Sequence, residues 1–134
     1  MVFSDQTYSV LVVSASAKFN ESVRGLLPER FYWPVTVLTD AAGARRELLE
    51  NSYDLVVINT PLPDEFGHEL CADAVEKTDA GVVFLAKAAV AEQLLTPLSE
   101  QGVLLVTKPF SNTFFLQAIW MACCLLYTSP SPRD

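Results

Sequence analysis

The 134-residue chain has nine basic and sixteen acidic residues, and its formal net charge is −7. Because no basic patch or stripe is visible, the composition argues against direct nucleic-acid binding by this domain. A hydrophobic share of 51% with 19% charged residues is typical of a globular protein, and the length fits one domain.

Apolar runs of strand length alternate with amphipathic stretches of helix length. In chain order, the predicted elements are strand Tyr8–Val13, helix Lys18–Leu27, strand Val35–Leu38, helix Ala41–Asn51, strand Leu55–Ile58, helix His68–Lys77, strand Gly81–Leu85, helix Val90–Gln101, strand Val103–Val106 and helix Asn112–Tyr127. Residues 10–13, 55–58 and 82–85 are apolar throughout, as expected for strands that are buried on both faces of a parallel sheet. The alternation predicts a doubly wound α/β fold with a five-stranded parallel sheet and five helices.

Capping and turn residues support these boundaries. The candidates are Asp40 before the second helix, Gly102 after the fourth, and Ser111 or Asn112 before the last. Pro34 is expected to open the second strand, where a missing N–H is tolerated.

The cysteines and the N-terminus indicate a cytoplasmic protein. Cys71, Cys123 and Cys124 have no metal-ligand spacing, and we expect them to be reduced core residues. The first residues lack the basic region and apolar stretch of a secretory signal. The most apolar segment, Phe114–Tyr127, is too short to span a bilayer, so no membrane association is expected.

Two local motifs carry information on function. Asn59 follows the apolar run Leu55–Ile58. Pro63 lies four residues after Asn59, and Gly67 lies eight residues after Asn59. Lys108 is followed by Pro109 after another apolar strand. Together with the strand order, this pattern resembles the receiver domains of bacterial response regulators, which have a CheY-like, flavodoxin-like fold. The resemblance covers residues 8–124, implies a cis Lys108–Pro109 bond and predicts an atypical receiver domain over residues 1–127.

The resemblance assigns a role to each residue at the carboxyl ends of the strands. Ser14 and Ala15 stand where a receiver has its acidic pair, and Asn59 stands where it has the phosphoacceptor aspartate. Ala86 replaces the switch threonine or serine, whereas Lys108 retains the lysine that contacts the phosphoryl group. The predicted pocket is therefore a degenerate one, made of Ser14, Ala15, Asn59, Ala86, Lys108 and Pro109.

The substitutions remove the chemistry of a phosphorylation switch. Mg²⁺ requires hard oxygen ligands, usually with one or two carboxylates, and Ser14, Ala15 and Asn59 provide no formal negative charge. An amide oxygen is too weak a nucleophile to accept a phosphoryl group, and Ala86 cannot hydrogen-bond one. We therefore expect no catalytic residue, no metal, no cofactor and no enzymatic activity, but a phosphorylation-independent signalling domain.

Two alternatives remain open at this stage. The chain could be a conventional receiver that uses another acidic residue, such as Asp64 or Glu65, although acidic residues in such a turn are usually solvated. It could also be a flavodoxin-like enzyme or small-ligand-binding domain. No glycine-rich phosphate loop follows the first strand, which disfavours this reading, but the serines there could hold an anion at the first helix N-terminus. His68, at the start of a helix, is expected to be a surface residue.

The last helix predicts a partner surface. Between Phe114 and Tyr127 its one strongly polar residue is Gln117, and apolar residues on more than one face indicate a second burial partner. We expect a homodimer or coiled coil through this helix, with Phe115, Ile119 and Trp120 as anchors, and also consider a partner signalling protein.

The degenerate pocket and the apolar last helix together point to a more specific family. The combination most resembles the receiver of an ANTAR-type antitermination regulator, a class of transcription regulators whose RNA-binding output domain would lie beyond this chain. Residues 128–134 are expected to form a disordered tail. Residues 125–134 also resemble translated adaptor sequence, which would make them non-native.

Overall fold

The computed structural model describes residues 7–128, with side chains up to Cys123. The elements, in chain order, are β1 (Tyr8–Val13), α1 (Ala17–Leu26), β2 (Tyr32–Leu38), α2 (Ala41–Glu50), β3 (Leu55–Asn59), α3 (His68–Lys77), β4 (Gly81–Lys87), α4 (Ala88–Glu100), β5 (Leu104–Lys108) and α5 (Asn112–Thr128). All strand pairs are parallel, and the strand order is β2-β1-β3-β4-β5. This is the flavodoxin-like order, so the predicted doubly wound fold is confirmed.

The alternating side chains of the buried strands create two cores. On one face, Val10, Val57 and Leu85 pack with residues of α1 and α5. On the other face, Val56 and Phe84 pack with residues of α2, α3 and α4. Every residue of β3 is buried, which explains why the first four residues, Leu55–Ile58, are all apolar; the last residue is Asn59.

Strand β2 begins earlier than predicted. Tyr32 pairs with Tyr8, and the next pair is Val35 with Val10, so β2 holds one extra residue between them. Pro34 lies in this irregularity of an edge strand, where its missing N–H removes no required ladder bond. The expectation that Pro34 opens the strand is therefore wrong.

The predicted helix caps are confirmed. Asp40 accepts a hydrogen bond from the Gly43 N–H at 2.8 Å, and Ser111 Oγ accepts one from the Phe114 N–H at 3.1 Å. Gly102 ends α4 with φ of 85°, a left-handed conformation that favours glycine.

Two of the three side chains that were predicted to anchor a partner hold helix α5 in its own domain instead. Phe115 and Ile119 are fully buried against the sheet, so they are not surface anchors, and that expectation is wrong. The half-exposed side chains are Phe114 at 50%, Trp120 at 48% and Met121 at 50%. The helix period explains the difference, because residues 115 and 119 share the face that meets the sheet.

Two of the three cysteines have described side chains, and both lie in the core. Cys71 and Cys123 are buried, and burial raises the pKa of the Cys71 thiol to about 12. Within the described residues, no helix is long and apolar enough to cross a membrane. Thr128, the first residue of the expected tail, ends α5, and the rest of that tail lies outside the described residues.

Candidate functional site

The carboxyl ends of the parallel strands bring Ser14, Asn59 and Lys108 to one rim of the sheet. Ser14 directly follows β1, whereas Asn59 and Lys108 are the last residues of β3 and β5 rather than the residues after them. Ser14 is fully buried, and Asn59 is only 7% exposed. Asn59 Nδ2 lies 3.1 Å from Ser14 Oγ, and the two side chains form a hydrogen bond. The structure thus joins two positions that are far apart in sequence.

The two ends of the Asn59 amide have different surroundings. Nδ2 contacts Ser14, which also accepts a hydrogen bond from the Ser16 N–H at 3.2 Å. Asn59 Oδ1 is buried and has no hydrogen-bond partner among the described residues. Burying an unsatisfied polar atom costs about 1–3 kcal/mol, so this atom marks a position where a ligand or water group would be favoured.

Lys108 is held at the rim by a backbone carbonyl. Its ammonium group donates to the carbonyl oxygen of Thr60 at 2.5 Å, and the bond from Lys108 to Pro109 is cis, as the resemblance implied. Burial lowers the pKa of the Lys108 ammonium below its ordinary value, and the positive charge of Lys87 contributes to the shift. Asn59 Oδ1 has no partner among the described residues, so Lys108 does not bond to it and is held by the Thr60 carbonyl instead.

The two alanines of the predicted pocket contribute no polar group. Ala86 is fully buried inside β4, not beyond its end, and Ala15 is exposed. The nearby hydroxyl of Thr60 donates to the carbonyl oxygen of Leu85 at 2.8 Å, so it is already committed to the backbone. Position 86 therefore has no hydroxyl that could contact a phosphoryl oxygen.

Asp64 and Glu65, the candidate alternative acceptors, make structural contacts. The Asp64 carboxylate accepts hydrogen bonds from the N–H groups of Ala41 at 2.9 Å and Ala42 at 3.0 Å, which caps the start of α2. Glu65 accepts a bond from the Leu70 N–H at 3.1 Å and forms an ion pair with Arg45 at 2.6 Å. These carboxylates tie the loop after β3 to two helices.

The Asp64 cap predicts a pH-dependent stability. The Ala41 and Ala42 hydrogen bonds lower the pKa of the Asp64 carboxyl below its ordinary value of 3.8. A group with a depressed folded pKa stabilises the fold above its unfolded pKa, and this contribution is lost as pH falls through the folded value. Asp64→Asn should therefore lower the melting temperature at neutral pH, and its difference from the wild type should shrink below pH 3.8.

The matched control is Asp79→Asn, which removes an exposed carboxylate. Melting curves from neutral to acid pH should show a small effect for this control at every pH. An Asp64→Asn difference that stays constant down to acid pH would contradict the capping assignment.

The residues at the rim do not fit the Mg²⁺ ion that the receiver resemblance implies. Ser14 Oγ already accepts from the Ser16 N–H, Ala15 has no oxygen in its side chain, and the one remaining ligand is the neutral amide of Asn59. Magnesium is held in proteins by one or more carboxylates, and none is present at these positions. Among residues 7–128, no group of three His, Cys, Asp or Glu side chains could hold a metal ion.

Two contributors to the site were not found from the sequence. Thr60 provides the carbonyl that binds Lys108, and Asn20 Nδ2 donates to the carbonyl oxygen of Ser14 at 2.9 Å. A backbone acceptor leaves no sequence signal. Asn20 lies one turn into α1, and its polar side chain there was the one feature of the sequence that could have indicated a contact with the end of β1.

His68 is exposed at the start of α3, as predicted. Its ring lies beside Phe66, with 6.0 Å between ring centroids. It is not part of the strand rim.

Comparisons with known proteins agree with this architecture. No family model matches the chain. The regulatory protein VanRB of Enterococcus faecalis is 27% identical over 110 residues, which are 82% of this chain and 50% of that protein. This chain therefore spans about half the length of that curated relative.

Solved receiver domains show the same fold. The non-phosphorylated HemR receiver domain from Leptospira biflexa has a TM-score of 0.76 and 27% identity, covering 87% of this chain and 94% of that one. A CheY-like response regulator receiver domain protein from Methanospirillum hungatei has a TM-score of 0.80 and 17% identity, covering 92% of this chain and 99% of that one. The strand order, the cis Lys108–Pro109 bond and the lysine at the rim agree with these likenesses. The chain is a CheY-like receiver domain of the response-regulator family, whose members act in two-component signalling.

Proposed function

We propose that this receiver domain signals without being phosphorylated and acts as an interaction and dimerisation module. The observation that carries the proposal is the hydrogen bond between Asn59 and Ser14, which occupies the place of the acceptor carboxylate and one metal-binding carboxylate. An amide paired with a hydroxyl provides neither the nucleophile nor the negative charge that phosphoryl transfer requires.

The rest of the rim supports the proposal. Lys108 is the one charged side chain among the predicted pocket residues, and it is bonded to the Thr60 carbonyl. Ala86 offers no hydroxyl through which a modified site could move the neighbouring strands. Asp64 and Glu65, the alternative acceptors, are occupied by helix N–H groups and Arg45. We therefore assign no enzymatic activity to the domain.

The direct test is exposure to phosphodonors. Incubation with acetyl phosphate and Mg²⁺, or with beryllofluoride and Mg²⁺, should leave the intact mass, the amide chemical shifts at the strand rim and the oligomeric state unchanged. A conventional receiver treated in parallel verifies the reagents. Stoichiometric, acid-labile phosphate on an aspartate of this chain would overturn the proposal and favour the alternative acceptor.

We propose further that the dimer forms through the α5 patch, defined as Phe114, Trp120 and Met121. These three apolar side chains are each about half exposed on one helix. Trp120 and Met121 also line a groove together with Leu116 and Gln117. Exposed aromatic clusters on a soluble protein are typical of interaction surfaces, and aromatic anchors contribute much of an interface's energy. In this dimer, a second copy of the chain covers the α5 patch. Phe115 and Ile119 are not part of the interface, because the sheet of their own domain already covers them.

Trp120→Ala should weaken self-association at least about fivefold, because truncating an aromatic anchor typically costs more than ~1 kcal/mol. The matched control is Trp33→Ala, since Trp33 is 56% exposed on the edge strand β2 and lies outside the patch. Sedimentation velocity over a range of concentrations measures both. A wild-type chain that stays monomeric, or equal effects of the two variants, would contradict the assignment.

For the complete protein, we propose transcription regulation or antitermination through an output domain that this chain does not include. The support is the match over about half of VanRB, a regulatory protein, together with the resemblance to ANTAR-type receivers. In this arrangement the receiver itself has no nucleic-acid contact, in keeping with its net charge of −7. We expect the protein to work in the cytoplasm.

A further inference from the structure

A pocket of about 420 Å³ opens beside the strand rim, between α1 and the segment that links β5 to α5. It lies at the ends of β1 and β3, where the strand order reverses, which is the position at which open α/β sheets bind ligands. Small-molecule sites commonly have volumes of about 300–1,000 Å³. The pocket therefore has the size and the place of a binding site.

The inner end of the pocket contains an unsatisfied amide. Asn59 lines it, is 7% exposed and has no partner for Oδ1 among the residues whose side chains the structure describes. Ser14 Oγ is the acceptor in its bonds to Ser16 and Asn59, so its own hydrogen is unused by these bonds. A half-turn of the Asn59 amide lets the Ser14 hydroxyl donate to Oδ1 and turns the NH₂ group away from Ser14. That NH₂ group then requires an acceptor, which a ligand oxygen would provide.

The charge of the pocket favours an anion. Lys18 and Lys108 line it, and no aspartate or glutamate does among the described residues. This contrasts with the whole chain, which has sixteen acidic residues and nine basic ones. Lys108 uses one ammonium hydrogen for the Thr60 carbonyl, and an ammonium group has others available for a ligand.

The outer wall of the pocket is apolar. Phe19 and Phe110 line it with their rings in an edge-to-face contact, 6.5 Å between centroids. Phe115 lies behind them and stacks on Phe110 at 5.4 Å, which fixes the wall from the core side. Inorganic phosphate would leave this wall uncovered, whereas an organic ligand would bury it.

We propose that this pocket binds a small organic acid without covalent modification. Its carboxylate meets Asn59 and Lys108, and its apolar or aromatic body lies against Phe19 and Phe110. This inference rests on the proposed function, because an acid could occupy the rim only where acceptor and metal-binding carboxylates are absent. The acid would act as the signal that phosphorylation provides in a conventional receiver.

The test uses two acids and their uncharged amides on the full chain, in the absence of Mg²⁺ and phosphodonors. The probes are phenylacetate with phenylacetamide, and indole-3-acetate with indole-3-acetamide. Titrations followed by ¹H–¹⁵N chemical shifts should give dissociation constants of about 1 mM for the acids, the scale expected for ligands of this size. The amides should bind at least about tenfold more weakly, because each lacks the charge-assisted hydrogen bonds.

Variants locate the site. Lys108→Met should weaken acid binding about tenfold, and Lys18→Met, a change at an exposed residue that does not endanger folding, about threefold. The matched control is Lys87→Met, which removes the same charge from the residue paired with Lys108 in the sheet but outside the pocket. Binding to this control should stay within about twofold of the wild type.

Three results would overturn the inference: no shift of rim resonances with either acid, equal binding of acids and amides, or equal losses in the Lys87 and Lys18 variants. The acid–amide comparison needs no variant, so it decides even if Lys108→Met fails to fold. Failure of the proposed function is read separately, as phosphate on an aspartate in the acetyl phosphate experiment.

Discussion

Restoring three carboxylates should convert a domain that ignores phosphodonors into one that is phosphorylated. The triple variant Ser14→Asp, Ala15→Asp, Asn59→Asp returns the metal ligands and the acceptor to a rim that still has Lys108. With acetyl phosphate and Mg²⁺, we expect labelling to rise from none to about one phosphoryl group per chain, because positioning and electrostatics supply most of phosphoryl-transfer catalysis. Intact-mass spectrometry measures the label, and peptide mapping places it at position 59.

The single variant Asn59→Asp is the matched control and should remain unlabelled, since it restores the nucleophile without the acidic pair that binds the metal. Mg²⁺ should raise the melting temperature of the triple variant but not of the wild type, because ligand binding to the folded state stabilises it. Ala86 still lacks a hydroxyl, so we expect no change in oligomeric state on labelling. A folded triple variant that binds Mg²⁺ yet stays unlabelled would show that the lost carboxylates do not explain the inactive site.

Phe115→Ala should cause the largest loss of stability among single changes in α5. Phe115 is fully buried and contacts the rings of Phe19 at 5.8 Å and Phe110 at 5.4 Å between centroids. Truncating a buried phenylalanine removes its burial energy and leaves a cavity, and such changes typically lower the free energy of unfolding by about 3–5 kcal/mol. Denaturant unfolding of the variant at one fixed protein concentration measures the loss.

The neighbouring residue provides the matched control. Phe114 is 50% exposed, so Phe114→Ala should change the free energy of unfolding by less than about 1 kcal/mol. Because Phe114 belongs to the α5 patch, the same variant should weaken self-association while Phe115→Ala acts through folding. Equal losses of stability in the two variants would contradict an orientation of α5 in which Phe115 faces the sheet and Phe114 faces solvent.

Much of the architecture follows from local sequence. The continuous apolar runs at 10–13 and 55–58 predict strands buried on both faces, and Asp40 predicts the start of α2 through its side-chain oxygen. The alternation of these runs with helices then specifies a parallel sheet, whose strand ends must share one rim. Asn59 and Lys108 could therefore be assigned to a common site without coordinates, since position along a strand determines which rim a residue reaches.

Tertiary structure decided the contacts that depend on how distant segments meet. The sequence shows that α5 is apolar on several sides, but only packing against the sheet shows that Phe115 and Ile119 are internal and Trp120 is exposed. Likewise, Asp64 lies in the loop after β3, but its carboxylate caps the start of α2, which is 22–23 residues earlier in the chain. Composition and periodicity record how much apolar surface a segment has, whereas its partner is chosen by long-range packing. The unpaired Asn59 oxygen and the pocket beside it are of this second kind, because both result from groups that meet only in the folded chain.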